Sequence, residues 1–114
     1  MKRDPSLDTL LAMNGTTYWV DDEYWIKIDV RKVKEITPER PHGLSYSLTL
    51  HNKYNDRIMG FDNAHAVKIK GKKFSAKIIS WDHKHLKEKV FDYTFDSAGQ
   101  LIEDFWKEVN KILP

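Results

Sequence analysis

Tyr24-Trp25-Ile26-Lys27-Ile28-Asp29-Val30-Arg31 sorts its side chains by parity. Tyr24, Ile26, Ile28 and Val30 fall on one side of an extended chain, and Trp25, Lys27, Asp29 and Arg31 on the other. That is a strand with one buried face and one wet face, the pattern of an antiparallel sheet. Leu44, Tyr46, Leu48 and Leu50 repeat the alternation against Ser45, Ser47, Thr49 and His51. Between the two lies a stretch with Pro38 and Pro41, which reads as a loop.

Outward from this pair, Thr16 to Val20 is β-branched and aromatic, and Asp21-Asp22 turns it into a hairpin with the first strand. Asn52 to Asp56 makes the next turn, and Arg57 to Phe61 a short strand that runs into Asp62-Asn63-Ala64-His65. Lys70 to Lys73 reads as a turn around Gly71, Phe74 to Trp81 as a strand leading into Asp82-His83-Lys84-His85, and Tyr93 to Phe95 as a last short strand. At the N-terminus, Asp4-Pro5-Ser6 opens a helix whose Leu7, Leu10 and Leu11 share a face, closed by Asn14-Gly15. Near the C-terminus, Ser97 and Gln100 have capping-box spacing. Leu101, Ile102, Phe105, Trp106, Val109, Ile112 and Leu113 then form one apolar stripe.

The expected architecture is α+β: one antiparallel sheet of five or six strands, a C-terminal helix packed on one face and a short N-terminal helix. The 114 residues, with neither repeat nor linker, read as one domain over 1–114. The chain has no cysteine, which excludes disulfides, thiolate metal sites and cysteine nucleophiles. No apolar run is long enough for a secretory signal or a membrane span. The expected setting is therefore cytoplasmic.

Charge is uneven although the net is only +2. From His65 to Lys89 eight lysines face Asp82 and Glu88, a net of +6, while Phe91 to Pro114 carries −3. The basic stretch can meet a phosphate backbone or be a solvated hairpin. Lys70, Lys72, Lys73 and Lys84 are its candidate binding residues, with Asn63 beside them.

Histidine is the other signal. His42, His51, His65, His83 and His85 all lie beside turns or strand ends. His83 and His85 share a face of an extended segment, with Asp82 and Lys84 opposite. Two imidazoles on one face can act as base and acid near neutral pH. Cleavage of RNA by its own 2′-hydroxyl needs such a pair and a cation for the charged phosphorane, for which Arg40, Lys73 and Lys84 are candidates. The same His-x-His spacing also suits a divalent metal, with Asp62 or His65 completing the set and zinc, manganese or nickel as the ion. Asn63 is placed to orient His65 or a substrate group, and its alternative is a plain turn residue. Arg40-Pro41-His42-Gly43 offers a guanidinium for phosphate or serves as a connecting loop. Trp19 and Trp25 either stack a base, meet a protein partner or lie under a loop. The wet face behind His51, with Ser47 and Thr49, reads more readily as solvated sheet than as a substrate floor.

Several motifs in order resemble the TumE toxin family. They are Arg40-Pro41-His42-Gly43, Tyr46-Ser47-Leu48-Thr49-Leu50-His51, Gly60-Phe61-Asp62-Asn63-Ala64-His65, Asp82-His83-Lys84-His85 and Gln100-Leu101-Ile102-Glu103-Asp104-Phe105-Trp106, spanning roughly residues 18 to 113. The resemblance implies a bacterial toxin encoded beside a cognate antitoxin that carries a DNA-binding domain, with RNA as the target. The catalytic set expected is His83, His85, His65, Asp62, Arg40 and His42. The alternatives are a non-enzymatic toxin that docks on protein or nucleic acid, and a metal-dependent hydrolase. Two open sheet edges also allow a homodimer.

Overall fold

The structure, a computed structural model, describes residues 5–37, 40, 42–63, 82–86 and 89–113. The expected Phe74–Trp81 strand, the Lys70–Lys73 turn, His65, Lys70, Lys72 and Lys73 lie outside the described residues.

Six strands form one antiparallel sheet in chain order: β1 (Thr16–Trp19), β2 (Tyr24–Lys32), β3 (Leu44–Asn52), β4 (Arg57–Asp62), β5 (His83–Leu86) and β6 (Lys89–Asp92). Helices α1 (Pro5–Ala12) and α2 (Ala98–Ile112) complete the expected α+β architecture. Two details differ from the sequence reading. Tyr93 to Phe95 is not a strand, and the last strand lies just before it, at Lys89–Asp92. The aromatic rings that imitate a strand instead leave the coil to pack inward: Tyr93 edge-on to Phe61, and Phe95 edge-on to Tyr46.

Register fixes which residues share a face. Ile26 pairs with Leu50, Ile28 with Leu48 and Val30 with Tyr46, and then Leu48 with Phe61 and Leu50 with Met59. Directly paired residues project to the same side. These residues make the buried face, and it is covered by Leu101, Phe105 and Val109 of α2 and Leu10 of α1. Each such fully buried side chain contributes about 1.5–3 kcal/mol of transfer free energy. The two helices are tied where the Gly99 amide donates to the Ser6 hydroxyl at 2.7 Å.

Local chemistry sets the boundaries. Asp21 accepts from the amides of Glu23 and Tyr24 at 2.7 and 2.8 Å, which closes the β1–β2 turn. Asn52 does the same for Tyr54 and Asp56, with Asn55 left-handed at φ 72°. Ser97 caps α2 by accepting from the Gln100 amide at 3.1 Å, and the Gln100 side chain accepts from the Asp96 amide, one residue earlier than the usual box. No described helix is long and apolar enough to cross a membrane.

Candidate active site

The opposite face of the sheet carries the chemistry. Parity puts Trp25, Lys27, Asp29 and Arg31 of β2 there, then Ser47, Thr49 and His51 of β3, Gly60 and Asp62 of β4, and His83 and His85 of β5. The register lines them up in rows: Ser47 opposite Asp62 and Asp62 opposite His83; Thr49 opposite Gly60 and Gly60 opposite His85. Gly60 has no side chain between its two neighbours, and a Cβ there would come within 3.1 Å of the Thr49 methyl.

Around this gap the polar groups converge. His85 Nε2 lies 2.9 Å from Asp62 Oδ2. The His83 and His85 rings are 6.4 Å apart, centre to centre. His51 Nε2 meets the Thr49 hydroxyl at 2.8 Å. His51 also stacks on Trp25, with centroids 4.2 Å apart and planes within 13°. Asp62 and His85 are each 8% exposed and His83 4%, so this part of the face is dry. A hollow of about 310 Å³ opens beside it, lined in part by Asp29, Arg31, Ser45 and Ser47.

Electrostatics follow from this burial. Desolvation holds the His85 imidazole below its ordinary value of 6.5; Asp62 opposes this and the Arg57 guanidinium reinforces it. His51 is lowered too, first by burial and then by Arg57 and Lys27. Both rings are thus neutral at pH 7 and each has a nitrogen able to accept a proton. His51 Nδ1 and His83 Nδ1 are buried imidazole nitrogens of this face without a hydrogen bond, whereas His85 Nε2 faces the Asp62 carboxylate.

Several other residues expected at the site are placed elsewhere. Lys84 projects to the helix side, where its ammonium donates to Glu108 at 3.1 Å, so it is not the cation beside the histidines. Burial works to raise the Glu108 carboxyl, but Lys84 and Lys111 override it and hold the group below its usual value. His42 stacks on Phe95 at 3.9 Å, and Phe95 packs on core-face Tyr46, which removes His42 from the cluster. Asp82 accepts from the Tyr46 hydroxyl at 2.7 Å on that same side. Arg40 reaches the Asn63 carbonyl through Nε at 3.4 Å, at the edge of the cluster.

Asn63 is 2% exposed, and its side-chain oxygen accepts from the Tyr46 amide at 3.0 Å while its side-chain nitrogen donates to the Leu44 carbonyl at 2.7 Å. It extends the β3–β4 pairing with a side chain and presents nothing to a ligand. No three His, Asp or Glu groups among the described residues are placed to hold one metal ion, Asp62, His83 and His85 included. Sequence reading gave little weight to His51 and Thr49 and none to Arg31, Arg57 and Gly60. Their parity was visible, but their meeting with β4 and β5 depends on register.

A family model described as toxin TumE matches residues 8–113. The chain belongs to the TumE toxin family. The match starts within α1, upstream of every motif that carried the resemblance. No curated protein and no solved structure matches the chain. Every TumE motif quoted above lies within the matched range. Two of them, Gly60-Phe61-Asp62 and His83-Lys84-His85, run side by side as β4 and β5.

Proposed function

We propose that this chain is the toxin of a toxin–antitoxin pair and that it disables RNA by cleaving it at the Asp62–His83–His85 cluster. The observation that carries the reading is the placement of His83 and His85 beside Asp62 on one sheet face, with His85 Nε2 2.9 Å from Asp62 Oδ2. In this mechanism His85, neutral at pH 7 and oriented by Asp62, takes the proton of a ribose 2′-hydroxyl. The 2′-oxygen bonds to phosphorus, the 5′-oxygen bond breaks, and His83 acts as the general acid that delivers a proton to the leaving oxygen. The products are a 2′,3′-cyclic phosphate and a 5′-hydroxyl. Arg31 and Arg57, on the same face, supply positive charge for the phosphorane.

At 8% exposure His85 does not meet a polymer directly, so the reaction requires the site to open. The hollow beside Ser47 and the half-buried His51 mark the sides from which a strand approaches. The partner is a cognate antitoxin, which silences the toxin by covering this face.

Purified protein incubated with single-stranded RNA tests the reading. Wild type should yield cyclic-phosphate ends, and His85→Ala and Asp62→Asn should lose cleavage by about a hundredfold or more while keeping a cooperative urea transition. A folded His85→Ala protein that cleaves at the wild-type rate overturns the assignment.

A further inference from the structure

Tryptophan is usually well buried, and Trp19 is 56% exposed. It is not isolated. In register, Trp19 stands opposite Trp25, Trp25 opposite His51, and His51 opposite Arg57 beyond a β-bulge. All four therefore project from the face opposite α1 and α2, as one row across β1 to β4. Trp19 and Trp25 are 6.5 Å apart and tilted by 48°; Trp25 and His51 are stacked at 4.2 Å. The Trp25 indole N–H is spent on the Asn52 carbonyl at 3.1 Å, which fixes that ring and leaves Trp25 only its π-face to offer.

What the row offers is π-surface flanked by positive charge. Lys27 rises from the next same-face position of β2, Arg31 lies beyond Asp29, six residues or about 20 Å along that strand from Trp25, and Arg57 ends the row. Asp29 offsets part of this through a surface contact with Lys27 at 3.7 Å, with both side chains about half exposed. Aromatic faces beside cations on an open sheet suit a single-stranded nucleic acid, whose bases stack and whose phosphates pair. A protein interface of this size would instead deplete lysine around its aromatic centre.

We propose that the Trp19–Trp25–His51–Arg57 row is a floor on which single-stranded RNA stacks without sequence preference, delivering the strand toward His51 and the Asp62–His85 pair. The proposal rests on RNA being the target, and it adds the residues that hold the strand. Trp19 supplies the open ring, Trp25 backs it, and Lys27, Arg31 and Arg57 track the phosphates.

The test is binding of a fluorescein-labelled 2′-O-methyl oligouridylate of about ten nucleotides, read by anisotropy. Its blocked 2′-oxygen prevents cleavage, so binding is measured whether or not the protein is a ribonuclease. Trp19→Ala should weaken binding by about five- to a hundredfold, and Trp19→Phe by much less. With three phosphates engaged, log K should fall against log salt with a slope of about −2, and Arg31→Gln or Arg57→Gln should each reduce the slope by about 0.7. Wild type that does not bind, or Trp19→Ala that binds like wild type, overturns the proposal. So does Trp19→Ala that loses only its purified antitoxin, which assigns the row to a protein partner. RNA cleavage lost in His85→Ala with unchanged oligonucleotide binding in Trp19→Ala sinks the stacking floor alone. Oligonucleotide binding that depends on Trp19 in a protein that never cleaves RNA sinks the catalytic reading alone.

Discussion

Replacing Asn63 by alanine separates a structural from a functional role at the residue next to Asp62. The carboxamide makes two buried bonds to β3, accepting from the Tyr46 amide at 3.0 Å and donating to the Leu44 carbonyl at 2.7 Å. Alanine removes both and leaves a buried N–H and a buried C=O at the end of the β3–β4 pairing. Each orphaned backbone group costs about 1–3 kcal/mol, so the pair costs about 2–6 kcal/mol. A chain of this length has a total stability of about 6–17 kcal/mol, so the loss is a large share of it. The midpoint of thermal unfolding should fall by about 8–25 °C. Urea unfolding followed by tryptophan fluorescence reads the change, and an unaltered m-value shows that the fold itself persists. Asn63→Asp is the informative companion. It keeps the acceptor for Tyr46 but turns a second oxygen toward the Leu44 carbonyl, so it should be destabilised at least as much. A loss under about 0.5 kcal/mol in Asn63→Ala would refute the reasoning. So would a fully stable Asn63→Ala protein without toxicity, because that outcome gives the side chain to the substrate.

Acid should destabilise the protein in two stages. His51 and His85 are held below their ordinary value of 6.5 by burial, with Asp62 opposing at His85 and Arg57 adding at both, so the unfolded chain binds those protons more readily. Stability is therefore complete above pH 6.5 and falls as the pH drops below it. Glu108, held below 4.5 by Lys84 and Lys111 against its burial, adds a second loss below that pH. Urea midpoints measured from pH 8 to 4 check both stages, and a flat profile contradicts them. Gly60→Ala places a methyl 3.1 Å from the Thr49 methyl and 3.3 Å from the Leu48 carbonyl oxygen, which is backbone and cannot yield. It should cost about 1–3 kcal/mol and weaken toxicity by displacing Thr49 from His51, read by urea unfolding and by growth of an induced culture. His83→Leu removes a buried imidazole with an unpartnered nitrogen, so it should raise the urea midpoint while abolishing toxicity.

The alternation in β2 and β3 made most of the fold legible, because parity alone states which side chains face a core. The α2 stripe with its Ser97 cap told what covers that core. The sequence also placed His83 and His85 together and Lys84 opposite, since that needs only the pleat. It failed at Tyr93 to Phe95, where aromatic composition imitates a strand although the rings pack from coil. It could not show that Gly60 lies between Thr49 and His85, because register across three strands is a non-local property. Asn63 looked like a turn or a ligand residue because nothing local shows a side chain standing in for a peptide group. His51 looked solvated because its neighbours along the strand are polar, whereas its real neighbours, Trp25 and Arg57, come from other strands.

Two environments share one side of the sheet, and the contrast between them bears on why the histidines are there. Trp19, Lys27 and Arg31 are wet, at no cost beyond ordinary hydration. Asp62, His83 and His85 are dry, and burying three polar side chains there costs desolvation that apolar residues would not. The core face shows what the chain does when only stability matters: Leu48 paired with Phe61 and Leu50 paired with Met59 fill the two alternating rungs on the other side. Apolar residues at 62, 83 and 85 would continue that solution, leave no unpartnered nitrogen and keep the same strand pairing. A fold that instead buries three titratable groups in adjacent rows, clears space between them with Gly60 and suppresses protonation of His85 is carrying a cost that packing does not explain. The proposed catalytic role would account for it, since a general base must be neutral, oriented and shielded from water before its substrate arrives.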